Sequence, residues 1–203
     1  MNLLIATGNR HKFQEISQIL NSRHLSFSSL HDLVAPPEVI EDGATFELNA
    51  IKKATTLATF SGKWTLADDS GLEVDALGGE PGVYSARYAG EPSNDSANNR
   101  KLLDKLATCP DRQARFRCVI ALSDPDGTAH TVAGACEGTL LTALRGRGGF
   151  GYDPLFVPHG YDQTFAELSA EIKNAISHRA QALGKAVRQW SQILEQEPGR
   201  WPV

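Results

Sequence analysis

The first twenty residues constrain the fold most. Asn2–Thr7 is an apolar run suited to a buried strand, and it ends in Gly8. A helix carrying Phe13, Ile16, Ile19 and Leu20 on one face is predicted from about Lys12. A strand that passes through a glycine into a helix commits the chain to layers of both kinds. The alternation continues. Leu25 and Phe27 alternate with polar residues in a second short strand, and residues 31–43, with Pro36-Pro37 and Asp42-Gly43, read as a loop. A second helix is expected from about Thr45, because Phe46, Ala50, Ile51, Ala54, Leu57 and Ala58 share a face and Gly62 supplies a stop. "WTLADD" reads as a strand, with Leu72 and Val74 alternating with Glu73 and Asp75 after it. A turn-rich segment, "GGEPGVYSARYAG", precedes a helix that begins near Asp95 and carries Leu102, Leu103 and Leu106. "ARFRCVIAL" places Phe116, Cys118, Ile120 and Leu122 on one strand face; "DPDG" then turns the chain, and residues 130–137 return as the hairpin partner. "PLFVP" resembles another strand, and Leu183, Ala186, Val187, Trp190, Ile193 and Leu194 mark a long amphipathic helix. Early alternation and a late hairpin predict an α/β protein with a mixed sheet.

The 203 residues are 41% hydrophobic and 22% charged, enough to bury a sizeable core, and one domain spanning residues 1–203 is expected. A formal net charge of -4 argues against a general nucleic-acid surface. Cys109, Cys118 and Cys136 are odd in number and widely spaced, which fits a reducing compartment better than a zinc cage or a disulfide framework. No apolar run approaches a membrane span, and "NLLIA" is too short for a signal segment. A cytoplasmic enzyme or binding protein is expected, with neither nucleic acid nor membrane as partner.

Four stretches carry chemistry. At "IATGNRHK" the strand-to-helix junction aims backbone N–H groups and a positive dipole end at one spot, beside Thr7, Asn9 and Lys12; it reads either as a phosphate cradle or as an ordinary turn capped by Asn9. "RGRGGFGYDP" matches GxGxxG through Gly146, Gly148 and Gly151, but no helix follows, so a dinucleotide fold is rejected. What remains is a glycine loop presenting Phe150, Tyr152 and Asp153, either to a base or to the core. In "KNAISHRAQAL", Ser177 suits the N-cap of the last helix and puts His178 and Arg179 in its first turn, where cations oppose the dipole unless an electron-rich ligand lies between them. Asp68 and Asp69 are adjacent, so strand geometry sends them to opposite faces and only one can enter a given site. Magnesium takes one or two carboxylates plus phosphate oxygens. Glu41 and Glu38 are candidates for the second acid.

Five motifs, "TGNRHK", "EDGATFELNA", "ADDSGLEVDALGGEPGVYSARYAG", "GGFGYDPLF" and "KNAISHRAQAL", run in this order from residue 7 to residue 183. In them the chain resembles the inosine triphosphate pyrophosphatase family, in its bacterial branch, whose members hydrolyse ITP, dITP and XTP to the monophosphate and pyrophosphate. The resemblance implies an elongated mixed α/β sheet with flanking helices, two lobes around a central active-site cleft, a homodimer, and Mg²⁺ as cofactor. By position it implies that Thr7, Gly8, Asn9, Arg10, His11 and Lys12 bind the triphosphate. It implies that Asp69 is the catalytic carboxylate and a metal ligand, with Glu41 as the second ligand or Glu38 in its stead, and that Ser70 contacts the substrate. Phe150, Gly151, Tyr152 and Asp153, joined by Lys173, His178 and Arg179, are implied to form the base pocket. Donors at His178 and Arg179 are then expected to read the 6-oxygen of the purine. Two other functions use some of these parts: a nucleotide-binding regulator, which leaves the acidic pair unexplained, and a pyrophosphatase for another nucleotide such as dUTP.

Overall fold

The computed structural model describes residues 2–20 and 25–194, with side chains as far as residue 191. Strand β1 (Asn2–Ile5) pairs in parallel with β2 (Ser26–Ser28) and with β3 (Thr65–Val74). With β4 (Gln113–Ser123), β5 (Ala129–Leu140) and β6 (Phe156–Pro158) they form a six-stranded sheet in the order β2-β1-β3-β4-β5-β6, β5 and β6 running antiparallel. The sheet is therefore mixed. The helices are α1 (Arg10–Ile19), α2 (Phe46–Ser61), α3 (Asp95–Lys105), α4 (Ala170–Ile176) and α5 (His178–Leu194). No helix among the described residues is long and apolar enough to cross a membrane.

Local chemistry sets the helix ends. The Asn9 side chain accepts from the backbone N–H groups of His11 and Lys12, so α1 begins at Arg10, two residues before the expected start. Thr45 caps α2 by accepting from the Leu48 N–H, and Gly62 closes the helix in the left-handed region at φ 64°. Two further expectations change. Strand β3 does not stop at Asp69 but continues to Val74, because Leu72 and Val74 are fully buried and the Leu72 N–H finds the Ser85 hydroxyl at 2.9 Å. Helix α4 has no counterpart in the sequence reading; at seven residues it is too short to show a period. The side chains of Ile193 and Leu194, expected on the apolar face of α5, lie outside the described residues.

The chain divides into two compact units, each assembled from separate segments. Of the described residues, those within 2–69, 118–134 and 179–194 form the first, and those within 70–117 and 135–178 the second. Leu3, Ile5, Ile16, Leu66, Ile120, Leu183 and Trp190 belong to the core of the first. Leu72, Leu102, Phe116, Tyr152, Phe156 and Phe165 belong to the core of the second. Two of the crossings, Asp69–Ser70 and His178–Arg179, divide residues that the sequence places side by side.

Candidate active site

Asp68 and Asp69 point into different surroundings, as strand alternation requires. Asp68 is fully buried and is the hub of an ion cluster in the first unit. Its Oδ1 lies 2.5 Å from Lys12 Nζ, and its Oδ2 accepts from Arg179 Nε at 3.0 Å and from the Cys118 thiol at 2.9 Å. Arg179 also pairs with Glu15. Burial would raise the Asp68 carboxyl, but the Arg179 and Lys12 cations hold it well below the usual carboxylate range. Burial pulls the Lys12 ammonium down, and Asp68 more than reverses the pull, so Lys12 is kept charged. The Cys118 thiol, driven well up by burial and by Asp68, stays neutral and serves as a donor.

Asp69 has the opposite balance. Asn49 Nδ2 donates to its Oδ2 at 3.0 Å. Burial first, and then the Glu41 carboxylate, lift Asp69 to about 6 against the pull of Lys53, Lys12 and the Asn49 bond. Lys53 Nζ sits 3.0 Å from Glu41 Oε1 and donates to the Asp68 carbonyl at 2.7 Å. Glu38 is exposed, and of the two candidate acids it is Glu41 whose charge raises Asp69. Among the described residues no three His, Cys, Asp or Glu side chains converge on a metal position. Two carboxylates, one of them lifted by burial and by the other's charge, fit a hard divalent cation that completes its shell with phosphate oxygens.

Asn49 and Lys53 were not singled out by the sequence reading. They stand one turn apart on α2, both buried, on the face shared with Phe46, Ala50, Ala54 and Leu57. Polar residues in register with an apolar stripe were the signal, since burial there is costly without partners.

At the start of α1, Gly8, Asn9, Arg10 and His11 are exposed, and a Cβ on Gly8 would meet no atom within 4 Å. Thr7 Oγ1 accepts from the Asn9 N–H at 3.1 Å. The Asn9 side chain acts as the helix cap and takes the His11 and Lys12 N–H groups, which leaves the charge of Lys12 and the positive dipole end of α1 as the features suited to an anion.

In the second unit the glycine loop is braced from several sides. Asp153 Oδ2 accepts from the Phe150 N–H at 2.9 Å and from Lys173 Nζ at 2.5 Å. Lys173 Nζ lies 4.7 Å from the centre of the Phe150 ring. Gly151, at φ 61°, donates its N–H to Asp95 Oδ2 at 2.7 Å and accepts from Asn99 Nδ2 at 2.8 Å. The Tyr152 hydroxyl donates to the Ser85 carbonyl at 2.9 Å. Tyr152 and Asp153 are buried and hold the loop, while Phe150 is half-buried. Ser70, half-buried in β3, begins this unit.

The expected donor pair at the head of α5 is split. Consecutive helical residues project about 100° apart. His178 stacks on Phe116 in the second unit, ring centres 4.8 Å apart and 13° from parallel. Arg179 instead turns three of its nitrogens to the carboxylates of Asp68 and Glu15 in the first unit.

The model of the Ham1 family matches residues 3–189. The chain is 56% identical over 189 residues to the dITP/XTP pyrophosphatase of Desulforamulus reducens, covering 92% of this chain and 94% of that protein. It is 53% identical over 183 residues to the dITP/XTP pyrophosphatase of Geobacter sulfurreducens, covering 89% and 92%. The solved structure of a HAM1 protein from Coxiella burnetii matches with a TM-score of 0.86 at 38% identity, over 95% of this chain and 99% of that one. Likeness in sequence and in backbone extends over nearly the whole of each partner, and the chain belongs to the Ham1 family.

Proposed function

We propose that this chain is a nucleoside-triphosphate pyrophosphatase, which hydrolyses dITP, ITP and XTP to the monophosphate and pyrophosphate and so keeps deaminated purines out of DNA and RNA. The observation that carries the reading is the Asp69 carboxyl, buried, held by Asn49, lifted to about 6 and accompanied by Glu41. The names of the relatives from Desulforamulus reducens and Geobacter sulfurreducens supply the substrate class.

The products require attack at the α-phosphorus. Water forms the new P–O bond, and the bond to the bridging oxygen breaks as pyrophosphate leaves. Asp69, when ionised, orients that water and takes its proton. Mg²⁺, held by Asp69 and Glu41 with phosphate oxygens, would supply charge neutralisation and Lewis acidity. Lys12, kept cationic by Asp68, and the positive dipole end of α1 stabilise the leaving pyrophosphate. Phe150, half-buried on its glycine loop, is the aromatic suited to stack on the base. Hypoxanthine and xanthine carry an oxygen at C6 where adenine carries an amine, so a donor there accepts one and opposes the other. With Arg179 engaged by Asp68 and Glu15, His178 is the member of the pair assigned to that oxygen. The same reading carries a cytoplasmic location, in keeping with three free cysteines, and a homodimer, which sedimentation tests.

Because protonated Asp69 cannot accept a proton, kcat/KM is expected to fall as pH drops through about 6. More Mg²⁺ favours the carboxylate and should move that limb to lower pH. Rate profiles at two Mg²⁺ concentrations check both statements. The reading itself is tested by a panel of dITP, XTP, dATP, dGTP and dUTP with Mg²⁺, scoring pyrophosphate against orthophosphate. Pyrophosphate from dITP and XTP, preferred over dATP by ~10²-fold or more, supports it. Tight binding without turnover, or a preference for dUTP, overturns it.

A further inference from the structure

We propose that Asn49 is a positioning residue whose carboxamide ties Asp69 to the segment carrying Glu41, so that both acids are in place before substrate arrives. The inference rests on the proposed function for the role of those two acids. A carboxamide has one accepting end and one donating end. Here Oδ1 accepts from the Gly43 N–H at 2.7 Å while Nδ2 donates to Asp69 Oδ2 at 3.0 Å. Gly43 lies two residues beyond Glu41. The amide thus joins a backbone donor on the loop to a carboxylate acceptor on β3, two demands of opposite polarity. Neither aspartate nor leucine meets both, and glutamine is one methylene too long.

The tie is close as well as polar. A Cβ placed on Gly43 would stand 2.6 Å from Asn49 Oδ1 and 3.0 Å from Leu48 Cβ, so the loop reaches the helix only because residue 43 has no side chain. Asn49 is 1% exposed and sits on α2 one turn past the Thr45 cap, on a rigid element. Lys53, one turn further along, bonds the Asp68 carbonyl and pairs with Glu41, so a second contact from the same helix face restrains the same two segments. If Asn49 merely satisfied buried groups, its loss would lower stability alone. A positioning role makes the arrangement of the two acids, and with it cation affinity, depend on the amide.

The test measures two things: Mn²⁺ binding to the substrate-free protein by electron paramagnetic resonance, and kcat and KM for dITP at saturating Mg²⁺. Asn49→Ala is expected to weaken Mn²⁺ binding and lower kcat, each by ~10–100-fold as for other residues that orient metal ligands, with KM changed far less. Gly43→Ala keeps the amide but places a methyl 2.6 Å from its Oδ1, so the carboxamide and the loop can no longer meet as they do. It is expected to weaken Mn²⁺ binding in the same range, and it decides the matter if Asn49→Ala does not fold. A folded Asn49→Ala with wild-type Mn²⁺ affinity, or one altered only in KM, overturns the proposal, as does wild-type Mn²⁺ affinity in Gly43→Ala when that variant alone is decisive. Wild-type turnover of dITP to pyrophosphate is measured alongside; its failure would count against the proposed function rather than against the tie.

Discussion

Asp69→Asn is expected to leave a folded protein whose turnover of dITP is lower by ~10²–10⁴-fold, because the change removes both the proton acceptor and an anionic metal ligand. The same substitution should stabilise the metal-free protein above pH 6. An isolated aspartate ionises near 3.8, whereas burial and Glu41 bring Asp69 in the folded chain to about 6. The folded carboxyl thus holds its proton longer than the unfolded one, and the penalty for ionising it grows from about pH 4 to pH 6 and then stays constant. Two pKa units correspond to roughly 3 kcal/mol. The amide does not ionise and can still accept from Asn49, so the variant is expected to melt several degrees above wild type at pH 8 in chelator. Calorimetry at pH 5 and pH 8 reads this directly. Lost activity with a raised melting point marks a carboxylate kept for function at a cost in stability. Lost activity with a lowered melting point would assign Asp69 to the scaffold.

Arg179→Ala should behave in the opposite way. Its guanidinium is 1% exposed and answers the Asp68 carboxylate, which is buried as well. Removing one partner of a buried pair costs roughly 3–5 kcal/mol, because the remaining charge loses its compensation. That is a large share of a stability that is typically ~5–15 kcal/mol. Lys12 still faces Asp68, which places the expected cost at the lower end. The Asp68 carboxyl is held below its unfolded value, so its contribution is present above about pH 4 and is lost as pH falls through the folded pKa. Asp68→Asn combined with Arg179→Ala should cost less than the sum of the two single changes, by about 1 kcal/mol or more, since the double variant no longer leaves the Asp68 carboxylate buried without its guanidinium. Urea titrations of the three variants measure the coupling. An Arg179→Ala protein as stable as wild type, with a collapsed ITP/ATP ratio of kcat/KM, would return the arginine to base recognition.

Much of the frame is legible in the sequence, because helix caps and strand periods are local. Thr45, Gly62 and Asn9 act where their chemistry predicts, and Phe116, Cys118, Ile120 and Leu122 are all buried along β4. The opposite fates of Asp68 and Asp69 follow from the period of two along a strand. Long-range partnership is not legible. Glu15 meets Arg179 across 164 residues, and Cys118 meets Asp68 across 50. No periodicity announces either pair, so the sequence shows Arg179 only as a cation in a helix's first turn. Asn49 was hidden for a different reason. A polar residue in an apolar stripe is visible in sequence, but only the fold shows that its two ends meet a loop N–H and a carboxylate.

The central claim is attack by water at the α-phosphorus of a purine triphosphate. Single-turnover hydrolysis of dITP in ¹⁸O-enriched water, followed by mass spectrometry of both products, tests it most directly. The account predicts one ¹⁸O atom in the dIMP and none in the pyrophosphate. Label in the pyrophosphate, or release of orthophosphate with dIDP, would place the attack at another phosphorus and contradict it.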